Sequence, residues 1–264
     1  MSRPEERVTG YLYRLLAPNP GPMTLEGTNT WVVGDPMRAA PVVIDPGPLD
    51  RGHLDAILQT CQGRIGAIVL THRHLDHSES ASELAGEAGC GVRSADPRWQ
   101  VGPLPLADGD ELEAAGVRLR AYATPGHTGD SFSFLLTGED RVSRLLTGDM
   151  VLGRGTTVIA QPDGDLQSFF SSLTRLQTLV DSEQPIELLP GHGPRVAEPR
   201  EWLAYYRSHR LERLEQVRRA LVAGDRTAAE VVARVYADVD RSVWPAAEQS
   251  VAAQLDYLAR AQDT

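Results

Sequence analysis

The sequence predicts a layered α/β fold followed by a small all-helical tail. Three observations predict it. Apolar runs of strand length alternate with amphipathic helical segments through residues 30–190. Four of those runs end in turns that carry a His or an Asp. Strand signals then stop after about Pro199, and three helical stretches remain.

The elements follow in order. Residues 1–40 hold a short first strand, the turn-rich loop 17–22 and a strand at 30–34 that Asp35-Pro36 stops. The run 42–47 is an apolar strand ending in Asp45 and a turn. A helix is expected at 54–61 and a buried strand at 65–70. Ser80-Ala81-Ser82-Glu83 reads as a capping box opening a helix with Ala81, Leu84, Ala85 and Ala88 on one face. Strand and turn signals alternate through 91–138, and 117–123 runs into Thr124-Pro125-Gly126-His127. Strands at 131–136 and 144–146 follow, the latter ending at Thr147-Gly148-Asp149. Leu166, Phe169, Phe170, Leu173, Leu176 and Val180 recur at helical spacing over 165–180. A last strand, 186–189, runs into Pro190-Gly191-His192-Gly193. In the tail, helices are expected over 201–223, from the capping box at Thr227-Ala228-Ala229-Glu230, and from near Pro245. We divide the chain into domains 1–198 and 199–264. A tail of ~60 residues is marginal as an independent fold, so it should pack on the main domain.

The chemistry gathers at Thr71-His72-Arg73-His74-Leu75-Asp76-His77. His72 and His74 are two apart, which puts both on one side of an extended segment. Helical metal motifs space their histidines by four instead. His127, Asp149 and His192 each follow a strand at the same end, and in a layered fold such ends can converge on one edge. His53 and His209 lie outside this pattern and are expected at the surface. Asp45 also follows its strand. Two readings stay open for it: an acid orienting a metal-bound imidazole, or a simple turn residue. Imidazole and carboxylate suit zinc, and manganese or iron is compatible with the carboxylates. A metal-bound water would make hydroxide accessible near neutral pH, for attack on an acyl or phosphoryl centre. Asp76 is the candidate to accept or relay a proton, and His192 a candidate to stabilise an oxyanion. A purely structural metal site is the plainer alternative.

Composition bounds the partners. The chain has 264 residues and a net charge of −10, and all 26 basic residues are Arg. With no Lys, Schiff-base chemistry and Lys-dependent phosphate loops are excluded. An acidic chain has no general attraction for nucleic acid or anionic membrane, so no strong duplex DNA binding is expected. Cys61 and Cys90 match neither a disulfide framework nor a zinc motif. No run resembles a signal peptide or a membrane span, and the expected location is the cytoplasm. Oligomeric state is open.

These motifs, THRHLDH, TPGH, TGD and PGHG, resemble those of the metallo-β-lactamase-fold hydrolase superfamily. The resemblance implies a four-layer αβ/βα sandwich with two metals, usually zinc, at one edge. It implies that His72, His74 and His127 bind the first metal, that Asp76, His77 and His192 bind the second, and that Asp149 bridges them. It also implies an acid in the place of Asp45 that supports the site. The zinc β-lactamases of the best-known class use a Cys in the second site, and this chain has none after Cys90. Dedicated β-lactamase action is therefore not expected, though a weak side activity is. The ligand set is shared by glyoxalase-II-type thioesterases and by nuclease branches. Residues 19–31 and 148–158 resemble the beta-lactamase-like protein 2 group. That group includes a mitochondrial endoribonuclease acting on single-stranded RNA, and its members carry a small, winged-helix-like C-terminal domain. Single-stranded RNA is thus the first substrate expectation, and a small-molecule ester or thioester the second. A non-catalytic, metal-stabilised interaction protein is the third reading. For RNA, Arg207, Arg210 and Arg213 at threes would form a cationic stripe, with Tyr205 and Tyr206 stacking on bases. The plainer reading is a solvated helix face with two packed tyrosines.

Overall fold

Trp31 and Val33 point to one side of their strand and Val32 to the other, and both sides are buried. That alternation sets the layering. In a computed structural model describing residues 6–114, 116–183, 185–238 and 240–262, two sheets lie face to face with helices outside each. The first half supplies β1 (Glu6–Thr9), β2 (Leu12–Leu16), β3 (Asn29–Val33), β4 (Val42–Ile44), α1 (Arg51–Thr60), β5 (Ala67–Val69), α2 (Leu75–Ser78), α3 (Ala81–Ala88) and β6 (Val92–Arg93). Its six strands pair in sequence order, with β4, β5 and β6 parallel. The second sheet uses β7 (Glu111–Ala114), β8 (Val117–Ala123), β9 (Phe132–Thr137), β10 (Ser143–Gly148) and, after α4 (Leu166–Ser182), β11 (Ile186–Pro190). Its order is β11-β10-β9-β8-β7, antiparallel except for β10 with β11.

Three apolar clusters make the layers. Trp31, Val33, Phe134, Leu136 and Leu146 fill the space between the sheets. Val32, Val43 and Ile68 pack under Leu54 and Ile57 of α1 and Leu84 of α3. On the far side, Leu135, Leu145 and Leu188 meet Phe169, Leu173 and Leu176 of α4. This is the expected four-layer sandwich.

The tail is α5 (Pro199–Val222), α6 (Ala228–Val235), a 3-10 turn (Arg241–Val243) and α7 (Trp244–Gln262). It packs on the main domain as expected. Tyr206 and Leu214 of α5, Val231 of α6 and Val251 of α7 belong to the same apolar cluster as α4 and the second sheet. Thr227 and Glu230 form the predicted capping box on α6.

The expectations for Ser80, His53 and His209 need correction. Ser80 precedes α3 but does not cap it, because its hydroxyl donates to the Gly47 carbonyl at 2.9 Å instead. His53 is fully buried, not at the surface. Its Nε2–H donates to Thr30 Oγ1 at 2.8 Å, since the Thr30 hydroxyl proton goes to the Asp45 carbonyl. Burial pushes His53 down to about 4. His209 is half-buried. Cys61 and Cys90 are free thiols. Among the described residues no helix is long and apolar enough to cross a membrane.

Candidate metal centre

Strand ends deliver the donors to one rim of the sandwich. The segment after β5 brings His72 and His74, and α2 turns there to present Asp76 and His77. The turns after β8, β10 and β11 bring His127, Asp149 and His192. His74 Nδ1 lies 3.0 Å from both His72 Nε2 and His127 Nε2. His77 Nε2 and His192 Nε2 are 3.1 Å apart, with Asp76 Oδ2 at 3.4 and 3.1 Å from them. Asp149 faces both groups. Its Oδ1 is 3.4 Å from His77 and from His192, and its Oδ2 is 3.7 Å from His127.

This geometry fits two cations. A tetrahedral zinc with nitrogen ligands at 2.0–2.1 Å holds its donors roughly 3.3 Å apart. Imidazole nitrogens converging at these spacings cannot all be satisfied by protons of their own. Asp149 Oδ1 is buried, and its approaches to His77 and His192 are too long and misaligned for good hydrogen bonds.

The outer ring nitrogens fix the inner ones. His77 Nδ1–H donates to Asp45 Oδ2 at 2.8 Å. His72 Nδ1–H donates to Thr71 Oγ1 at 3.0 Å, and the Thr71 hydroxyl passes on to Asp45 Oδ2 at 2.6 Å. His127 Nδ1–H donates to the Val158 carbonyl at 2.8 Å, with Thr157 Oγ1 beside it at 3.0 Å. His192 Nδ1–H donates to the Gly27 carbonyl at 3.1 Å. Each ring is thereby held in the tautomer whose Nε2 lone pair points inward. Asp45 also accepts the Thr71 N–H at 2.7 Å, so its geometry favours the orienting role over that of a turn acid.

Sequence reasoning missed Thr71, Thr157, Val158 and Gly27. Gly27, Thr157 and Val158 do fall in the two stretches quoted for the closer resemblance, which was the available signal. The turn at His192 is tightly built. A Cβ on Gly191 would come within 2.7 Å of Asp149 Oδ1 and 2.8 Å of the His77 ring. Asn29 clamps the turn by donating to the Pro190 and Gly193 carbonyls, each at 2.9 Å.

Charge is unevenly shared. Burial pushes His72 well below the ordinary histidine value and lowers His127. Burial also opposes a charge on His77, but Asp76, Asp149 and Asp45 outweigh it and hold His77 well above that value. His192 is likewise buried, yet Asp149 and Asp76 raise it to about 9. Burial disfavours the Asp149 carboxylate, while His192 and His77 keep it well below the usual range. Any cation held by the second group would therefore compete with protons there.

A cavity of about 240 Å³ opens onto His74, Asp76, His127 and Asp149. Pro22, Met23, Leu25 and Leu152 give it apolar walls, and an Arg154–Glu26 ion pair of 2.7 Å sits at the rim. Pro22, Met23 and Leu25 thus bring the loop 21–29 to the mouth.

The arginine stripe does not form. A step of three residues drifts about 60° around a helix of 3.6 per turn. Arg210 is therefore buried between Arg207, which donates to Thr174, and Arg213, which lies over the Tyr236 ring. Tyr206 is buried too, its oxygen accepting the Leu152 N–H at 2.7 Å. Tyr205 is exposed, and Trp202 stacks against it.

Comparison with known proteins agrees with the geometry. The sequence profile of the metallo-beta-lactamase superfamily matches residues 23–208, and that of the beta-lactamase associated winged helix domain matches 227–262. A "Beta-lactamase-like protein 2 homolog" of Drosophila melanogaster is 32% identical over 273 residues, covering 96% of this chain and 89% of the relative. An "Atrochrysone carboxyl ACP thioesterase" of Aspergillus chevalieri is 32% identical over 252 residues, covering 90% of this chain and 77% of the relative. The crystal structure of a metallo-beta-lactamase family protein from Thermus thermophilus matches with a TM-score of 0.79 at 25% identity, covering 97% of this chain and 95% of that one.

Proposed function

This chain belongs to the metallo-β-lactamase superfamily, whose hydrolase chemistry it shares, and from that premise we propose that it is a dinuclear-metal thioesterase. The observation that carries the reading is the pair of donor groups sharing Asp149 beside an apolar-walled cavity. His72, His74 and His127 would hold one cation and Asp76, His77 and His192 the other, with Asp149 facing both groups. Zinc is the first choice for this donor set, with manganese or iron as alternatives. When bound, the cations supply an acidic water and a Lewis acid for the acyl oxygen.

The chain's own groups do the rest. Asp45, Thr71, Val158 and Gly27 hold the rings. Asp76, partly exposed in the cavity lining, would take a proton from the attacking water and pass it to the departing thiolate. His192 has both ring nitrogens engaged, so it serves as a donor and does not meet the acyl oxygen. Pro22, Met23, Leu25 and Leu152 offer an apolar acyl chain its contacts. A thioester fits these walls and the net charge of −10 better than a polyanion does. The thioesterase relative supports the same choice. Single-stranded RNA is the second reading. It rests on the likeness to the beta-lactamase-like protein 2 homologue over 96% of the chain.

The test is turnover of an S-acyl thioester panel and a fluorescent single-stranded RNA by zinc-loaded protein. Chelation should abolish thioester hydrolysis, and His74→Ala should lower kcat/KM by at least roughly a hundredfold. Asp76→Asn should lower kcat by about a hundredfold while some metal is retained. Cleavage of RNA alone, with both controls abolishing it, would replace this reading by the second. No turnover on either would remove both.

A further inference from the structure

The loop 156–158 has two faces. One lines the metal cavity, and the other lines a second cavity of about 250 Å³ between the sandwich and the C-terminal helices. The opposite walls of this second cavity carry His209, Arg210 and Arg213 of α5, with Tyr236. Arg210 is only 5% exposed, yet it pairs with no carboxylate among the described residues. It donates to the Thr157 carbonyl and lies 5.2 Å from the Phe169 ring centre, and its Nε–H has no acceptor among the described residues. His209 Nδ1 is also buried, with no partner among the described residues. Arg213 lies across the Tyr236 ring at 4.8 Å. Glu212 is near enough to favour a charge on His209, but it forms no ion pair with either arginine among the described residues.

Burying a guanidinium without a counter-charge is unfavourable, and a second cation beside it adds repulsion. An entering anion relieves both, through charge-assisted hydrogen bonds that Arg is shaped to give. The thiol carriers of acyl groups end in such anions, a phosphate in phosphopantetheine or a carboxylate in glutathione. We propose that this cavity binds the anionic end of the substrate's thiol arm, with Arg213 and the Arg210 Nε–H as donors and the loop 156–158 between anion and reacting carbonyl. The substrate half of this inference rests on the thioester reading above. The anion half does not.

The experiment has two arms, both on full-length, zinc-loaded protein. The first compares one acyl group on pantetheine, on 4′-phosphopantetheine and on glutathione. One charged arm should exceed the neutral one in kcat/KM by about tenfold, through KM, and the winner identifies phosphate or carboxylate. Arg213→Gln should reduce that preference about fivefold or more. Equal use of all three arms, or a preference that Arg213→Gln leaves intact, overturns the anion site while the thioesterase reading stands. The second arm needs no turnover. The Nε–Hε resonance of Arg210 is followed by NMR during titration with inorganic phosphate and with succinate. A saturable shift, weakened in Arg213→Gln, supports the site even if no thioester is hydrolysed. No shift with either anion overturns it.

Discussion

Asp45 satisfies three donors with two oxygens: the Thr71 N–H, the Thr71 hydroxyl and His77 Nδ1–H. An Asn in its place keeps one acceptor and turns an amide donor toward another donor. Asp45→Asn should therefore weaken metal binding by about 10–100-fold, read by competition with a chromophoric chelator. Unchanged affinity would return Asp45 to the role of a turn acid. His53 makes a second prediction at this scale. Its folded value of about 4 lies below the ordinary 6.5. Between those values the unfolded chain binds a proton that the folded chain rejects. The contribution of His53 is therefore full above about pH 6.5 and lost as pH falls toward 4. In chelator-treated protein, wild type should lose about 2–3 kcal/mol more than His53→Gln between pH 7 and 4.5, by urea unfolding. Parallel losses would show that burial of His53 does not govern its proton. None of this was visible in the sequence, because the Thr30 hydroxyl that receives His53 belongs to a different element.

Among the elements, helix starts were legible where the cap is local. Asp165 precedes α4 and accepts the Ser168 N–H at 2.7 Å, and Thr227 caps α6 with Glu230 reaching back. Thr227→Ala should cost about 1 kcal/mol in urea unfolding, and no loss would mean that α6 is held by packing alone. The same pattern at Ser80 misled, since the Gly47 carbonyl 33 positions away in sequence takes the hydroxyl. Length sets the other limit. The two residues of β6 and the four of α2 are too few for periodicity to register. Arg207, Arg210 and Arg213 looked like one stripe because a spacing of three nearly matches a helical turn. The residual drift was enough to bury the middle residue.

At the scale of the whole molecule, one apolar cluster joins the second sheet, α4 and all three tail helices. The chain should therefore unfold in a single urea transition, with fluorescence and circular dichroism coinciding, whereas two separated transitions would mean that the tail folds on its own. The convergence of these side chains was legible from sequence because each follows a strand at the same end, Asp76 and His77 by way of the short α2. The groups that lock the rings were not. Gly27 and Val158 act through backbone carbonyls, which every residue possesses, so their side chains do not mark the role.

Thr157 and Val158 touch His127 on one side, and Arg210 of the tail holds Thr157 from the other. Any grip on a cation at His127 would thus be mechanically continuous with the seating of α5. Anything that lifts the tail, whether heat or a competing protein, also slackens that grip. In metal-loaded protein, release of the cation to a chromophoric chelator would then gauge how firmly the two parts of the chain are docked.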